Sequence, residues 1–530
     1  RLIMQNLKLG QIATADFETD PFQYGREPRP FCCGFFDGEI YKDFWGDDCA
    51  QQFVDYLEKL IEPRTIYFHN GGKFDIYFLL EIGAAQKPIK IINGRIVSVM
   101  CGIHEIRDSF AIFPMGLGKF QKTEIDYSKM EADQRDKNRA EILEYLQSDC
   151  ENLYEIVHVF INEYGNKLTI GSASLSTLRK MHPFEKISQS RDEMLRPFYF
   201  GGRVECFDSG VIKKKLKYYD VNSMYPYVMR SLEHPCGKHY AMRNYLPKEP
   251  YYFATIEATS AGALPVRNKN GSLSFPHGRE IFHATGHEIN TALELGLLEV
   301  HSVIECFDSL STINFSKFVD TYSAKRREEK ENNDPRELFT KLVMNSAYGK
   351  FAQNPERYFD YEILPLGELP DDYDDALAAG NPWQPCSGNR HFWIYKKPVT
   401  RYVYNDVGIA ASITGAARSV LMRGLFNAKG AVYCDTDSII CEHLETDTHK
   451  SRLGAWDIEA TGDEIAIAGK KLYCLFENGE PRKLASKGVQ LSPEQVRRVA
   501  AGETMLHKKD APSLGINGAS FVARKIRKTV

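Results

Sequence analysis

The chain has 530 residues, of which 43% are hydrophobic and 26% charged, and its formal net charge is −4. That length exceeds what one core can serve, so several domains are expected, and the composition excludes a disordered or collagen-like chain. No apolar run reaches a membrane span and no secretory signal is read, which places the expected protein in the cytoplasm.

The twelve cysteines are scattered and form no C-x-x-C pair, the nearest two being the adjacent Cys32 and Cys33. This argues against a zinc ribbon or a disulfide framework and for small buried hydrophobes in a reducing compartment.

In chain order, "QIATADFET" and "RTIYFHN" read as strands, and "RAEILEYLQSDCENLYEIVHVFINEY" as one long amphipathic helix. Asp16 and Glu18, one residue apart on the first strand, point to the same side. Asp75 follows Asn70 in "FHNGGKFD", and Tyr145 and Asp149 share a face of the helix. Four acids and a phenol from three elements suit two-metal hydrolysis of a phosphodiester. Hard oxygen ligands favour Mg²⁺ or Mn²⁺, and Tyr145 would orient the attacking water.

Pro197, Gly201 and Gly202 punctuate "MLRPFYFGGR" as a boundary. "KLKYYDVNSMYPYVM" follows as a strand with Asp220 near its end. Residues 233 to 310 show strand-like runs. Two helices then meet through Asn332, Asn333, Asp334 and Pro335, and the second carries Lys341, Asn345 and Tyr348 on one stripe. A lysine and an amide there suit a triphosphate, with the ring beneath a base pair.

Residues 352 to 403 read as irregular, with the acidic stretch "DDYDD". A helix from about Ala410 to Leu425 leads to "YCDTDSII", which sets Asp435 and Asp437 in an apolar run. Buried carboxylates need a partner, and a hairpin that brings them to Asp220 makes a cation the expected one. From Arg482 to Val530 the chain is basic, with only Glu494, Glu503 and Asp510 opposed, as a phosphate-tracking surface would be.

"DFE", "NGGKFD" and "YLQSD" resemble the three exonuclease motifs of proofreading DNA polymerases. "DVNSMYP", "KLVMNSAYG" and "YCDTDS" resemble motifs A, B and C of the family B DNA polymerases. The resemblance implies an α/β multidomain fold: an RNase H-like 3′–5′ exonuclease followed by a right-hand polymerase with two insertions. The exonuclease would span 1–189, the palm 190–232 and 404–487, the fingers 311–351 and the thumb 488–530. Insertions at 233–310 and 352–403 resemble those of the protein-primed branch. The first would dock a terminal protein, and the second would close a ring with the thumb for processivity and strand displacement.

By the same resemblance, Asp16, Glu18 and Asp149 hold one pair of metal ions. Asp220, Val221 and Asp437 hold another, with Asp435 less directly involved. Tyr225 would lie under the incoming sugar and exclude a 2′-hydroxyl. Val221, Lys341, Asn345, Tyr348 and one or more of Lys325, Arg326 and Arg327 would bind the nucleotide. Asn70, Phe74, Ser109 and Lys122 would hold a single-stranded 3′ end. Tyr199, Gly201, Gly202, Arg203, Thr414, Arg418, Lys471, Tyr473 and Lys487 would contact template or primer. The expected partners are DNA, dNTPs and a terminal protein, and the expected state is a monomer. A primer-independent or DNA-primed polymerase, or a non-catalytic DNA-binding scaffold, are the alternatives.

Overall fold

A computed structural model describes residues 11–120, 124–357, 359–365, 369–385, 392–397, 403–515 and 518–529. The N-terminal part is built on a ten-stranded sheet. Third from one edge is the strand Ile12–Thr19, antiparallel to Pro30–Phe36 and parallel to Thr65–Phe68, which is itself parallel to His104–Asp108. Ile12–Thr19 is buried on both faces, so it reads as a nearly continuous apolar run rather than an alternating one.

One face is covered by the helix Arg139–Tyr164, which has the bounds the sequence suggests. It stops at Gly165, whose φ of 72° ends the right-handed path. The helix sits close because Gly34, the register partner of Asp16, has no side chain: a Cβ there would fall 2.9 Å from Cys150 Sγ and Leu146 Cγ. Thr14 Oγ1 donates to the Cys150 carbonyl at 2.7 Å and pins the same crossing.

The C-terminal half carries a seven-stranded sheet with Gly210–Val221 in the middle, between Ser438–Cys441 and Trp456–Gly469, all antiparallel. The helix Val407–Phe426 is apolar and buried nearly all round, as a central helix must be. A separate four-stranded sheet, with the order Tyr240–Arg243, Leu298–Ser309, Tyr252–Ala261 and His277–Thr285, lies in the segment 233–310. The helices Ser316–Glu331 and Arg336–Phe351 are joined where expected, with Asn333 at a φ of 51°. One apolar cluster runs through Phe160, Phe339, Phe318, Ile413 and Trp456, so the N-terminal helix, the helical pair and the central helix share a core.

The reading of 352–403 as irregular is corrected. Strands Phe359–Pro365, Phe392–Lys396 and Gln384–Pro385 extend the N-terminal sheet through Gln86–Ile92, and Tyr373–Ala378 is a short helix. Their order comes from an edge supplied by distant residues, which no local pattern records. No described helix is long and apolar enough to cross a membrane, and no described cysteine is in a disulfide.

Candidate active sites

Asp16 and Glu18 project from the strand Ile12–Thr19 toward Asp149 on the covering helix. Ligand oxygens of these three lie within 4.8 Å of one another, the one such triad among the described residues. Asp75 is buried beside them and accepts the Phe17 N–H at 3.1 Å. Burial first, then the neighbouring carboxylates Glu18, Asp75 and Asp149, push Asp16 well above the ordinary carboxylate range. Glu18 rises for the same reasons. Burial pushes Asp75 up to about 7 and Asp149 up to about 6. No cation is among the groups that act on Asp16 or Glu18. A cluster of buried and half-buried carboxylates with only oxygen donors, on whose Asp16 and Glu18 no cation among the described residues acts, fits hard divalent ions. Tyr145 OH lies 3.3 Å from Tyr127 OH at the rim of the same cleft.

That cleft, about 1080 Å³, is also lined by Asn70, Phe74 and, unexpectedly, His507, Lys508, Lys509 and Leu514 from the C-terminal end. Leu514 is buried in the N-terminal core. Phe521 meets Tyr24 edge-on at 5.7 Å, and Lys508 Nζ lies 5.0 Å from the Tyr24 ring. Asn70 holds a left-handed φ of 60° and accepts from Arg95 at 2.8 Å; Phe74 packs on Phe22. Ser109 is fully buried, bonded to His69 and the Phe68 carbonyl, and so stands behind the cleft rather than in it. Lys122 lies outside the described residues.

The second site forms where three strands meet. Asp220 is in register with Ser438 on one side and Asp457 on the other. Asp435 and Ser438 close a two-residue turn, and Val221 N–H donates to the Asp437 carbonyl at 2.8 Å. Burial, then Asp437 and Glu459, push Asp220 up to about 7. Burial, then Asp435 and Glu459, push Asp437 up to about 6. Asp435 differs: Lys471 Nζ is bonded to both its oxygens, at 2.8 and 2.7 Å. Beyond Asp220 the chain turns through Ser223, at a φ of 53°, into the helix Met224–Ser231. This sets Tyr225 flat against Tyr348, ring centres 4.0 Å apart.

Residues 119–375 match the family described as DNA polymerase type B, organellar and viral. The DNA-directed DNA polymerase of Enterobacteria phage PRD1 is 42% identical over 98% of both chains. The DNA polymerase of Bacillus phage B103 is 24% identical over 66% of this chain and 62% of its own.

The chain belongs to the type B DNA polymerases. It is a DNA-directed DNA polymerase of the phage type, and the fold agrees. The structure of phi29 DNA polymerase complexed with primer-template DNA matches 98% of this chain and 100% of that chain, with a TM-score of 0.74 at 19% identity.

Several residues expected to touch substrate are placed otherwise in this polymerase. Arg418 and Thr414 are buried. The Arg418 guanidinium is bonded to Glu288 at 2.7 and 3.0 Å and to the carbonyls of Phe200 and Gly201, so it holds the Tyr199–Arg203 loop from behind. Arg203 is buried too, paired with Glu205 and stacked on Phe275. The Tyr199 carbonyl accepts from Arg267, and Gly201 is exposed. Tyr473 is buried with its ring 4.6 Å from Tyr433. Lys487 is exposed.

Lys325 is paired with Glu163 and Arg326 with Glu337, whereas Arg327 is exposed with no ion pair among the described residues. Lys341 and Asn345 are exposed and Tyr348 is half-buried, as one stripe of a helix would be. Sequence reasoning missed Glu459, which acts on both Asp220 and Asp437, and its partner Lys483 at 2.7 Å. Strand alternation after Trp456 was the available signal: it sets Asp457 and Glu459 to one side.

Proposed function

We propose that the chain extends a DNA primer on a template at the Asp220–Asp437 site and removes mispaired 3′ nucleotides at the Asp16–Glu18–Asp149 site. The observation that carries this reading is the presence of two separate groups of buried and half-buried carboxylates, each lifted by desolvation and mutual repulsion. Asp16, Glu18 and Asp149 would hold one pair of ions, with Asp75 beside them. Asp220, Asp437 and Val221, through its backbone, would hold the other. Bound Mg²⁺, for which Mn²⁺ can substitute, neutralises charge on phosphoryl oxygens and lowers the pKa of the attacking hydroxyl or water.

The chain's own residues do the rest. Tyr225 lies under the incoming sugar, where a 2′-hydroxyl would collide with it, and Tyr348 supports the new base pair. Lys341 and Asn345 grip the triphosphate. Arg327 is the cation of its trio that joins them, because Lys325 and Arg326 are engaged elsewhere. Lys471, bonded to Asp435, sets the primer side of the site, with Lys487 next to it. Tyr145 orients water at the hydrolytic site, and Asn70 and Phe74 receive the unpaired end. Lys508, at the end of the strand Met505–Lys508, and Lys509 guide that end into the cleft by their charge.

The relatives support the substrate class, since the phi29 structures are of complexes with primer-template DNA and incoming nucleotides. Residues 1–189 serve as exonuclease, 190–232 and 404–487 as palm, 311–351 as fingers and 488–530 as thumb. The sheet within 233–310 offers a docking face for a terminal protein whose hydroxyl starts synthesis. The segment 352–403 bridges palm to exonuclease and supports processivity. The protein acts as a monomer on DNA.

The test uses one labelled primer–template. Asp437→Ala should abolish extension and leave 3′–5′ degradation, and Asp16→Ala should do the reverse. Either variant keeping its assigned activity overturns the assignment. Priming is tested separately: a nucleotide linked covalently to a protein Ser, Thr or Tyr is expected in the native replication mixture, and efficient synthesis on single-stranded DNA without any protein primer would contradict it.

A further inference from the structure

A pocket of about 430 Å³ opens between the helix Ile170–Met181 and the C-terminal end of the helix Arg336–Phe351. Lys167, Arg179, Lys180 and Lys350 line it together with Ser172 and Ser176, and no carboxylate among the described residues does. Gathering like charges such as Lys167, Arg179 and Lys180 is unfavourable unless an anion joins them. Elsewhere in this chain the cations of packed helices are met by acids, as Lys325 is by Glu163 and Arg497 by Glu464. Lys167, Arg179 and Lys180 have no ion pair among the described residues.

The pocket is built rather than incidental. The Arg179 guanidinium lies 4.4 Å over the Phe184 ring and donates to Asn405 at 3.4 Å, while its buried Nε has no partner. Lys350 Nζ donates to Gln353 at 3.0 Å. Its stem fills the space left open by Gly171, where a Cβ would fall 2.8 Å from Lys350 Cε. Burial pushes both Arg179 and Lys350 below their ordinary values, so a bound anion would restore what burial takes.

The chemistry is that of a phosphate site: an arginine fork, ammonium groups and two hydroxyl donors. Among the described residues no aromatic side chain lines it, so they offer no platform for a base. Its position narrows the source. Lys350 is two residues beyond Tyr348, whose ring meets Tyr225, and residues two apart on a helix face opposite sides, so the pocket lies across this helix from the place proposed for the new base pair, at about one helix diameter, ~10 Å or more.

We propose that this pocket takes a backbone phosphate of the unpaired template strand as it approaches the polymerase site. The inference rests on the reading of the chain as a template-directed polymerase.

The experiment is fluorescence anisotropy of the full chain on primer–templates that differ only in the length of the template 5′ overhang, at several salt concentrations. Lys180→Glu, at an exposed position, tests charge without touching the packing. Arg179→Ala tests the fork and is paired with a thermal melt to show that it folds. Wild type should tighten in a step once the overhang reaches the pocket. Both variants should lose that step, the slope of log K against log salt falling by about 0.7 for each phosphate no longer neutralised. A step unchanged in Lys180→Glu, or no step in wild type, overturns the proposal. Pyrophosphate that binds wild type, is lost in the variants and leaves the overhang step untouched assigns the pocket to a free phosphate compound and also overturns it. Extension by wild type on the same substrates is scored in parallel, so a failure of the polymerase reading is told apart from a failure of the pocket.

Discussion

Thr436 is the residue on which the polymerase turn depends. It is β-branched yet holds a φ of 57°, a conformation that costs about 1–3 kcal/mol and persists only where the surroundings enforce it. Two contacts do so. Its N–H donates to the Arg203 carbonyl at 2.7 Å, and its side chain packs on Gly202, where a Cβ would fall 2.5 Å from Thr436 Oγ1. This explains the second glycine of "YFGGR" without a direct DNA contact. Gly202→Ala should displace Asp435 and Asp437 together and lower kcat for extension by on the order of tenfold or more, with 3′–5′ degradation retained. Steady-state kinetics of both activities on one substrate check it.

Residue-scale reading of the sequence succeeded where spacing alone sets direction: Asp16 with Glu18 at period two, and Tyr145 with Asp149 at one helical turn. For Arg418 and Arg203 spacing does not say whether a cation meets DNA or an acid of the chain, and the structure pairs them with Glu288 and Glu205. Spacing also could not find His507, Lys508 and Lys509 at the cleft beside Asp16 and Glu18, a placement made by the tertiary fold alone.

Between elements, a buried polar joint ties the helix Val407–Phe426 to the start of the helix Gly286–Glu294. Glu288 closes a capping box with Thr285 and also receives the Arg418 guanidinium, all of it buried. Losing one partner leaves a buried charge alone. Arg418→Met should therefore destabilise the fold by roughly 3–5 kcal/mol, and Arg418→Met with Glu288→Gln should recover much of that loss. Denaturant unfolding of the two variants measures both.

The long helices were legible because their apolar periods run for many turns: Arg139–Tyr164 and the pair Ser316–Glu331 and Arg336–Phe351 lie where the pattern sets them. The strands within 352–403 were not. They are short and gain their order by joining the edge strand Gln86–Ile92, about 270 residues earlier in the chain.

For the molecule as a whole, both carboxylate groups have the same dependence on pH. Asp75 and Asp220 are pushed up to about 7, and Asp149 and Asp437 up to about 6, by burial before any other cause. These four carboxyls therefore bind more protons in the folded chain than in the unfolded one between about pH 4 and about pH 7, and their contribution to metal-free stability falls as pH rises through that window. A divalent ion takes the place of those protons. The increase in Tm on adding Mg²⁺ or Mn²⁺ should be small near pH 5 and full near pH 8, and it should shrink in Asp16→Ala with Asp437→Ala. Thermal melts with and without EDTA check the sign.

The two sites are tied into one body by the shared core around Phe160 and Phe339, and by the C-terminal hairpin, which packs Leu514 into the N-terminal core. Of the basic residues at the C-terminal end, Arg497 and Arg498 are spent on Glu464 and Glu503. Lys508, Lys509, Arg524, Lys525, Arg527 and Lys528 have no ion pair among the described residues.

The most direct measurement is anomalous diffraction from crystals grown with Mn²⁺, primer–template and an incoming nucleotide. The account predicts separate peaks beside Asp16, Glu18 and Asp149 and beside Asp220 and Asp437. Full density for DNA and nucleotide with no anomalous peak at either group would contradict it.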